Sequence, residues 1–129
     1  MPCLVDTDVL VWHLRGYRHA RLTLDALGPL TISSVTYLEL LQGLRNKAEL
    51  AALKKMLVQR HTTVLPITEA ITQRATDLLE ILALSHGLQM GDCLIAGTAL
   101  EHQFTVLTSN LKHFRAVPGL LVEAFDPRA

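Results

Sequence analysis

Short apolar runs alternate with amphipathic segments along the whole chain, and this alternation predicts strands followed by helices. The predicted strands are 3–5, 30–32, 63–65, 104–107 and 120–125, and the predicted helices are 9–14, 22–27, 35–45, 47–59, 69–85 and 93–102. Strands that alternate with helices favour a mostly parallel central sheet with helices on both faces. The pattern therefore predicts an α/β protein, a three-layer α/β/α sandwich.

Polar residues at the ends of these segments predict where the helices begin and end. Asn46 and Thr68 each precede a helical pattern, so we expect them to be N-caps. Gly87 is expected to end the helix that follows Thr68, because glycine readily adopts the left-handed conformation of a C-cap. We expect Thr7 or Asp8 to cap the first helix.

The helix predicted at 35–45 carries a candidate functional carboxylate within an apolar stretch. Val35, Leu38, Leu41 and Leu44 recur at helical spacing, and we expect them to form its buried stripe. Glu39 lies among these leucines one turn into the helix, so the sequence predicts that its carboxylate is partly desolvated. An unpaired charge there would cost several kcal/mol, on the order of known penalties for buried ions.

Length and composition limit the organisation of the chain. At 129 residues it has room for one core, and we expect a single domain over residues 1–129. Half of the residues are hydrophobic, 5% are aromatic, and the mean hydropathy is +0.30. Such an apolar chain is expected to cover part of its helix surface with a second copy or a partner peptide.

Charge and the first residues indicate where the protein works. Twelve basic and twelve acidic residues give a net charge of zero, so bulk charge alone does not indicate nucleic-acid binding. Asp6 and Asp8 interrupt the first apolar run, which argues against a signal peptide or a membrane span there. A cytoplasmic location without membrane contact is the expectation.

Four oxygen-bearing side chains stand where strands and helices meet. Asp6 and Asn110 lie just past predicted strands, whereas Glu39 and Asp92 lie near the starts of predicted helices. In open parallel sheets, ligands bind outside the carboxyl ends of the strands, and all four positions belong to that side. Converging carboxylates repel one another unless a cation neutralises them, and oxygen ligands without histidine or cysteine suit Mg²⁺ or Mn²⁺.

Each of these residues also has an ordinary structural interpretation. Asp92 could cap its helix, Glu39 could form a capping box with Thr36, and Asn110 or Asp8 could be a turn residue. The joint placement favours a shared site over four separate structural roles.

The segments around these positions resemble the PIN-domain ribonucleases, most closely the VapC-type toxins of bacterial toxin–antitoxin pairs. The matching segments are residues 4–10 with Trp12, 33–40 with Gly43, 91–96 with Ala99, and 107–110 with Phe114. Their order and spacing agree with the family from about residue 3 to residue 125. The resemblance therefore rests on four separated segments and not on one short motif.

The resemblance implies a PIN-like α/β/α sandwich and an endoribonuclease that depends on Mg²⁺ or Mn²⁺. Asp6 and Asp92 would bind the metal most directly, with Glu39 as a third ligand that also orients the attacking water. Asn110 stands where the family often has a fourth acidic residue, and its amide oxygen would complete the site. Such a cation lowers the pKa of water and offsets charge on the phosphoryl oxygens.

The same resemblance implies partners and supporting residues. A VapC-like toxin is expected to cut RNA, to form a homodimer, and to be silenced by a small antitoxin whose segment lies in a groove near the site. The candidate RNA-binding residues are Arg15, Arg18, Lys112 and Arg115, which flank the first and fourth segments. The candidate supporting residues are Thr7, Asp8 and Thr108, together with Ser109.

Three other functions remain open on the sequence. The Asp6-Thr7-Asp8 opening also fits haloacid-dehalogenase-type phosphatases, although residues 93–100 lack the second acidic residue expected after Asp92. A metal-free ribonuclease could use His13 or His113 as general acid and base. A catalytically silent PIN-like module could only bind a partner.

Overall fold

The computed structural model describes residues 2–129, which form five strands and seven helices. In chain order these elements are β1 (Cys3–Val5), α1 (Thr7–Leu14), α2 (Arg18–Leu27), β2 (Thr31–Ser33), α3 (Ser34–Gln42), α4 (Lys47–Gln59), β3 (Thr63–Leu65), α5 (Glu69–His86), α6 (Met90–His102), β4 (Thr105–Thr108), α7 (Leu111–Phe114) and β5 (Val122–Ala124). Within the same residues, no helix combines the length and the hydropathy needed to cross a membrane.

The described strands pair in parallel, as the alternation of strands and helices predicts. β4 pairs with β1 on one side and with β5 on the other, and β2 pairs with β3. β1 also contacts β2, so the strands follow one another in space as β3, β2, β1, β4 and β5. The prediction of a parallel central sheet is confirmed.

Successive residues of the central strands face two separate apolar clusters. Leu4 of β1 and Val106 of β4 belong to a cluster completed by α5, α6 and α7. Val5 and Leu107, the next residue in each strand, belong to a second cluster completed by α1, α2 and α4. Because side chains alternate across a strand, the sheet has a buried layer on each face, and the α/β/α sandwich is confirmed.

Most helix ends lie where capping residues predict them. The Asn46 side chain accepts a hydrogen bond from Glu49 N at 2.8 Å, and Thr68 Oγ1 accepts one from Ile71 N at 3.2 Å. Gly87 ends α5 with a left-handed φ of 67°. The prediction for α1 is wrong, because the helix begins at Thr7 and its N-cap is Asp6.

Three further expectations differ from the structure. α2 begins at Arg18 and not at residue 22, because Ala20 and Leu24, four residues apart, provide its buried face from the first turn onward. The short helix α7 was not expected, since its four residues give too little periodicity. In α3, Val35 is buried as predicted, but Leu38 is 58% exposed and Leu40, which was not expected in the stripe, is buried.

Candidate active site

The pairing of β1 with β4 places Asp6 beside Thr108 at the carboxyl end of the sheet. Val5 is opposite Leu107 in this pair, and Asp6 N donates to Leu107 O at 2.9 Å. Thr108 Oγ1 then donates to Asp6 Oδ2 at 2.8 Å, while Asp6 Oδ1 accepts from Thr7 N. Both side chains are buried, with Asp6 only 6% exposed.

Burial makes the Asp6 carboxyl a weaker acid than an ordinary aspartate. Desolvation, followed by the negative charge of Asp8, raises its pKa from 3.8 to about 8. The hydrogen bonds from Thr108 and Thr7 act in the opposite direction, but they do not compensate. Without a nearby positive charge, the carboxyl is therefore largely protonated near neutral pH.

Asp8 lies next to Asp6 and is anchored on one oxygen only. Its Oδ2 accepts hydrogen bonds from Ser109 N at 2.9 Å and from the Ser109 hydroxyl. Its Oδ1 is buried and has no hydrogen-bond partner among residues 2–129. A buried carboxylate oxygen without a donor is costly, so this corner of the site has unused capacity for a cation or a proton donor.

Glu39 reaches the same region from α3. Its carboxylate is not desolvated, contrary to the prediction from the sequence. The residue is exposed, and its Oε1 accepts a hydrogen bond from Thr7 Oγ1 at 2.6 Å. A Cβ at Gly91 would lie 3.0 Å from Glu39 Oε2, so glycine leaves room for this carboxylate beside α6. The capping-box interpretation is also wrong, because Ser33 caps α3.

Asp92 and Asn110 meet through a histidine on α7. Asp92 Oδ2 lies 3.3 Å from His113 Nδ1, and Asn110 Nδ2 lies 3.0 Å from the same nitrogen. Nδ1 can donate to Asp92 when it carries a proton, or accept from Asn110 when it does not. Asp92 also accepts from Gln89 N at 3.3 Å, so its predicted capping role at the start of α6 is present as well.

These side chains line one cleft of about 430 Å³ at the carboxyl ends of β1 and β4. Its lining includes Asp6, Glu39, Asp92 and Asn110, together with Thr7, Asp8, Val11, Trp12 and Arg15. Across residues 2–129, however, no three histidine, cysteine or acidic side chains are drawn together tightly enough to form a ready metal-binding group. The cleft thus gathers carboxylate and amide oxygens from four separate parts of the chain.

The four predicted RNA-binding residues are distributed unevenly around the cleft. Arg15, at the C-cap of α1, is the one that lines it. Arg18 is exposed at the start of α2, and Lys112 and Arg115 are exposed in and just after α7. Lys112 and Arg115 come shortly after Asn110 in the sequence, so they lie on the chain segment that leaves the cleft.

His113 contacts this site and Trp12 lines it. The sequence had singled out His113 only as the acid or base of a metal-free ribonuclease and Trp12 only as part of a matching segment, so neither was expected beside the acidic residues. His113 stands three residues after Asn110, one helical turn away, and recognising α7 would have indicated it. His13, the other histidine considered as an acid or base, does not line the cleft. Burial lowers its pKa, as does the nearby Arg60.

Comparison with known proteins agrees with this arrangement. The PIN domain family matches residues 3–120. The chain is 39% identical to Ribonuclease VapC10 of Mycobacterium tuberculosis over 98% of each chain. It is 35% identical to Ribonuclease VapC19 of the same species over 91% of this chain and 95% of the other. A toxin–antitoxin complex from Klebsiella pneumoniae has a chain with a TM-score of 0.78 and 27% identity, covering 97% of both chains.

Proposed function

Because the chain belongs to the PIN-domain family, we propose that it is a metal-dependent endoribonuclease and the toxin of a toxin–antitoxin pair. The observation that carries this proposal is the cleft that unites Asp6, Glu39, Asp92 and Asn110. Two relatives that match nearly the full chain are named ribonucleases, which supports RNA as the substrate. The cytoplasm, where RNA is abundant, is the proposed location.

The cleft suits a hard divalent cation, which we take to be Mg²⁺ or Mn²⁺. Its donors are carboxylate and amide oxygens, the buried Asp6 has a raised pKa, and Asp8 Oδ1 lacks a partner. Asp6, Asp92 and Glu39 are the residues that would hold the cation, with the Asn110 amide oxygen beside them. When bound, it would supply a water of lowered pKa and offset charge on the phosphoryl oxygens.

The surrounding side chains act through position and charge. Glu39 is exposed and held by Thr7, so it can orient a water that enters from solvent toward the phosphorus. Thr108 fixes the Asp6 carboxyl through its hydroxyl, and Asp8 holds the Ser109 turn next to it. Thr7, Asp8 and Thr108 therefore support the acidic residues and are not proposed to contact the scissile bond.

Basic residues near the cleft provide contacts for the RNA backbone. Arg15 lines the cleft, and we propose that it binds a phosphate near the cleavage site. Arg18, Lys112 and Arg115 are exposed on either side, and they are proposed to bind more distant phosphates. Their contribution should weaken as salt rises, since phosphate contacts release counterions.

An antitoxin partner is supported by a second groove that adjoins the acidic cleft. This groove of about 570 Å³ lies between α1, α3 and α4, and it shares Val11, Arg15 and Glu39 with the cleft. Its lining combines apolar side chains with Arg45 and Glu49. A segment bound there would end next to the acidic residues and block access to them.

A homodimer is proposed from the exposed apolar surface. Leu38 on α3 and Met90 on α6 are both more than half exposed, and these two helices contact each other. A second copy covering this region would remove apolar surface from water. Sedimentation at micromolar concentration tests the proposal, and a monodisperse monomer would contradict it.

Cleavage of total RNA tests the proposed activity and its metal requirement together. The wild-type chain, Asp6→Asn and the control Asp77→Asn, an exposed carboxylate on α5, are incubated with and without Mg²⁺, and the cleavage sites are mapped. We expect the wild type and the Asp77→Asn control to cleave RNA, and only when Mg²⁺ is present. Cleavage that persists in EDTA would favour a histidine mechanism, and a phosphorylated Asp6 would favour a phosphatase.

A further inference from the structure

An aromatic pair with an arginine stands at the mouth of the acidic cleft. Trp12 and Arg15 both line the cleft, and Arg15 Cζ lies 5.7 Å from the centroid of the Trp12 ring. Tyr17 packs edge-on against that ring, with the two centroids 4.5 Å apart. The lining of a cleft proposed to receive a phosphodiester thus includes an indole side chain.

The turn between α1 and α2 holds this pair in position. Gly16 has a left-handed φ of 89°, and its N donates to His13 O at 2.9 Å. Tyr17 N donates to Trp12 O at 3.1 Å, so the chain folds back and brings the Tyr17 ring onto Trp12. The orientation of Trp12 is therefore fixed before any ligand arrives, which lowers the entropic cost of binding.

Packing in the core does not account for the whole Trp12 side chain. Trp12 is half-buried at the edge of the apolar cluster beneath α1, whereas Phe114 and Phe125 are fully enclosed. It is also the only tryptophan in a chain with 5% aromatic residues. Arg15 is exposed and lies near the outer limit of a cation–π contact, so another planar group could displace it easily.

We propose that Trp12 is a stacking platform for an unpaired base of the RNA next to the phosphate held in the acidic cleft. Single-stranded RNA is commonly recognised by bases that stack on aromatic side chains, and such stacking tolerates different bases. Arg15 then binds the phosphate that joins this base to its neighbour. This inference rests on the proposed ribonuclease function, and it implies that the substrate is unpaired at the cleavage site.

Abasic RNA provides the direct test. A short single-stranded RNA of mixed sequence and a series with one abasic ribose moved along it are bound to the wild type in EDTA, where no metal-dependent cleavage occurs. At one position we expect the missing base to weaken binding by about tenfold, the effect typical of one stacked base. In Trp12→Leu that tenfold ratio should fall to about one.

A purely structural role for Trp12 would give a different result. Trp12→Leu would then weaken binding of the intact and abasic RNAs equally, and their ratio would remain as in the wild type. The matched control is Phe104→Leu, which changes a half-buried aromatic residue just before β4, at the end of the sheet opposite the cleft. It should keep the tenfold ratio, whereas a loss there would overturn the proposal.

Fluorescence and cleavage separate this proposal from the proposed function. Because Trp12 is the only tryptophan, its emission should be quenched by the intact RNA and less by the sensitive abasic RNA. If Mg²⁺-dependent cleavage occurs but the position of the abasic ribose does not affect binding, the platform is overturned and the ribonuclease function stands. Abasic discrimination without cleavage would support the platform and contradict the ribonuclease. Failure of any RNA to bind or quench, or quenching by a copurified protein partner alone, would overturn the platform.

Discussion

The floor of the cleft, formed by Asp6, Asp8 and Thr108, differs from its rim, formed by Arg15 and Glu39, in the cost of holding charge. On the floor, burial raises the Asp6 pKa to about 8, and one oxygen of Asp8 has no donor in the described part of the chain. On the rim, both side chains are exposed and their charges remain hydrated. A charged carboxylate therefore destabilises the folded state at the buried floor, whereas at the exposed rim it has almost no effect on stability.

This difference separates two tasks of an acidic site. A buried carboxylate gains most from a cation, because the cation removes an unfavourable charge from a poorly solvated place. An exposed carboxylate exchanges readily with water and can direct it. The floor is thus suited to bind the metal most directly, whereas on the rim Glu39 would add a ligand that also orients water and Arg15 would bind RNA.

Asp6→Asn is expected to give the largest effect on activity. The substitution keeps the size of the side chain but removes the buried charge, so RNA cleavage should fall on the order of 10²–10³-fold. The measurement is the initial rate on a defined RNA fragment in Mg²⁺, with Asp77→Asn as the control. Near-normal cleavage by Asp6→Asn would show that the reaction does not need the buried carboxylate of the floor.

Glu39→Gln is expected to reduce cleavage on the order of 10–100-fold without lowering the melting temperature. The amide can keep the hydrogen bond from Thr7, but it orients water less well than a carboxylate. The side chain is exposed, so its charge contributes little to folding. Glu80→Gln, an exposed change on α5, is the control, and equal loss of activity in both variants would contradict the assignment.

Thr108→Val is expected to affect stability more than Glu39→Gln does. The change removes the donor to Asp6 Oδ2 and the acceptor for Asn110 N, at a cost of about 1–3 kcal/mol. Thermal unfolding should show a drop of several degrees. Thr98→Val is the matched control, because Thr98 is equally buried but bonds only to a carbonyl within α6, and a larger drop there would reverse the comparison.

The pH dependence of stability tests the buried floor without any measurement of activity. Asp6 has a pKa of 3.8 when unfolded and about 8 when folded, so the folded state binds its proton more tightly. The stability that this proton contributes is complete below pH 4 and is lost as the pH rises toward 8. In EDTA, the melting temperature of Asp6→Asn minus that of the wild type should therefore increase over this range. Asp77→Asn should give a constant difference, and a constant difference for Asp6→Asn would contradict the raised pKa.

The sequence predicted the parts of the fold and site that depend on local patterns and topology. The apolar runs identified every described strand, and Asn46 and Thr68 cap their helices as their positions indicate. The rule that ligands bind at the carboxyl ends of parallel strands led to Asp6 and Asn110, which the structure brings into one cleft. These inferences needed no knowledge of how individual side chains pack.

The remaining features depend on tertiary packing, which local patterns in one sequence do not reveal. The leucines around Glu39 suggested that its side chain is partly buried. In the structure, Val35 and Leu40 are buried, whereas Leu38 and Glu39 are exposed. The contact of His113 with Asp92 joins residues from α7 and α6, and no local pattern links them. The roles of the site residues remain predictions, and the variants above test those of Asp6, Glu39, Thr108 and Trp12.

The most direct test of the central claim, that the buried floor holds a divalent cation, is the melting temperature with Mn²⁺ compared with EDTA. A cation that binds only the folded chain stabilises it, by about 2.7 kcal/mol at a hundredfold excess over Kd. We predict a rise of several degrees for the wild type and for Glu80→Gln, and almost none for Asp6→Asn. An equal rise in the wild type and Asp6→Asn, or no rise in the wild type, would contradict the account.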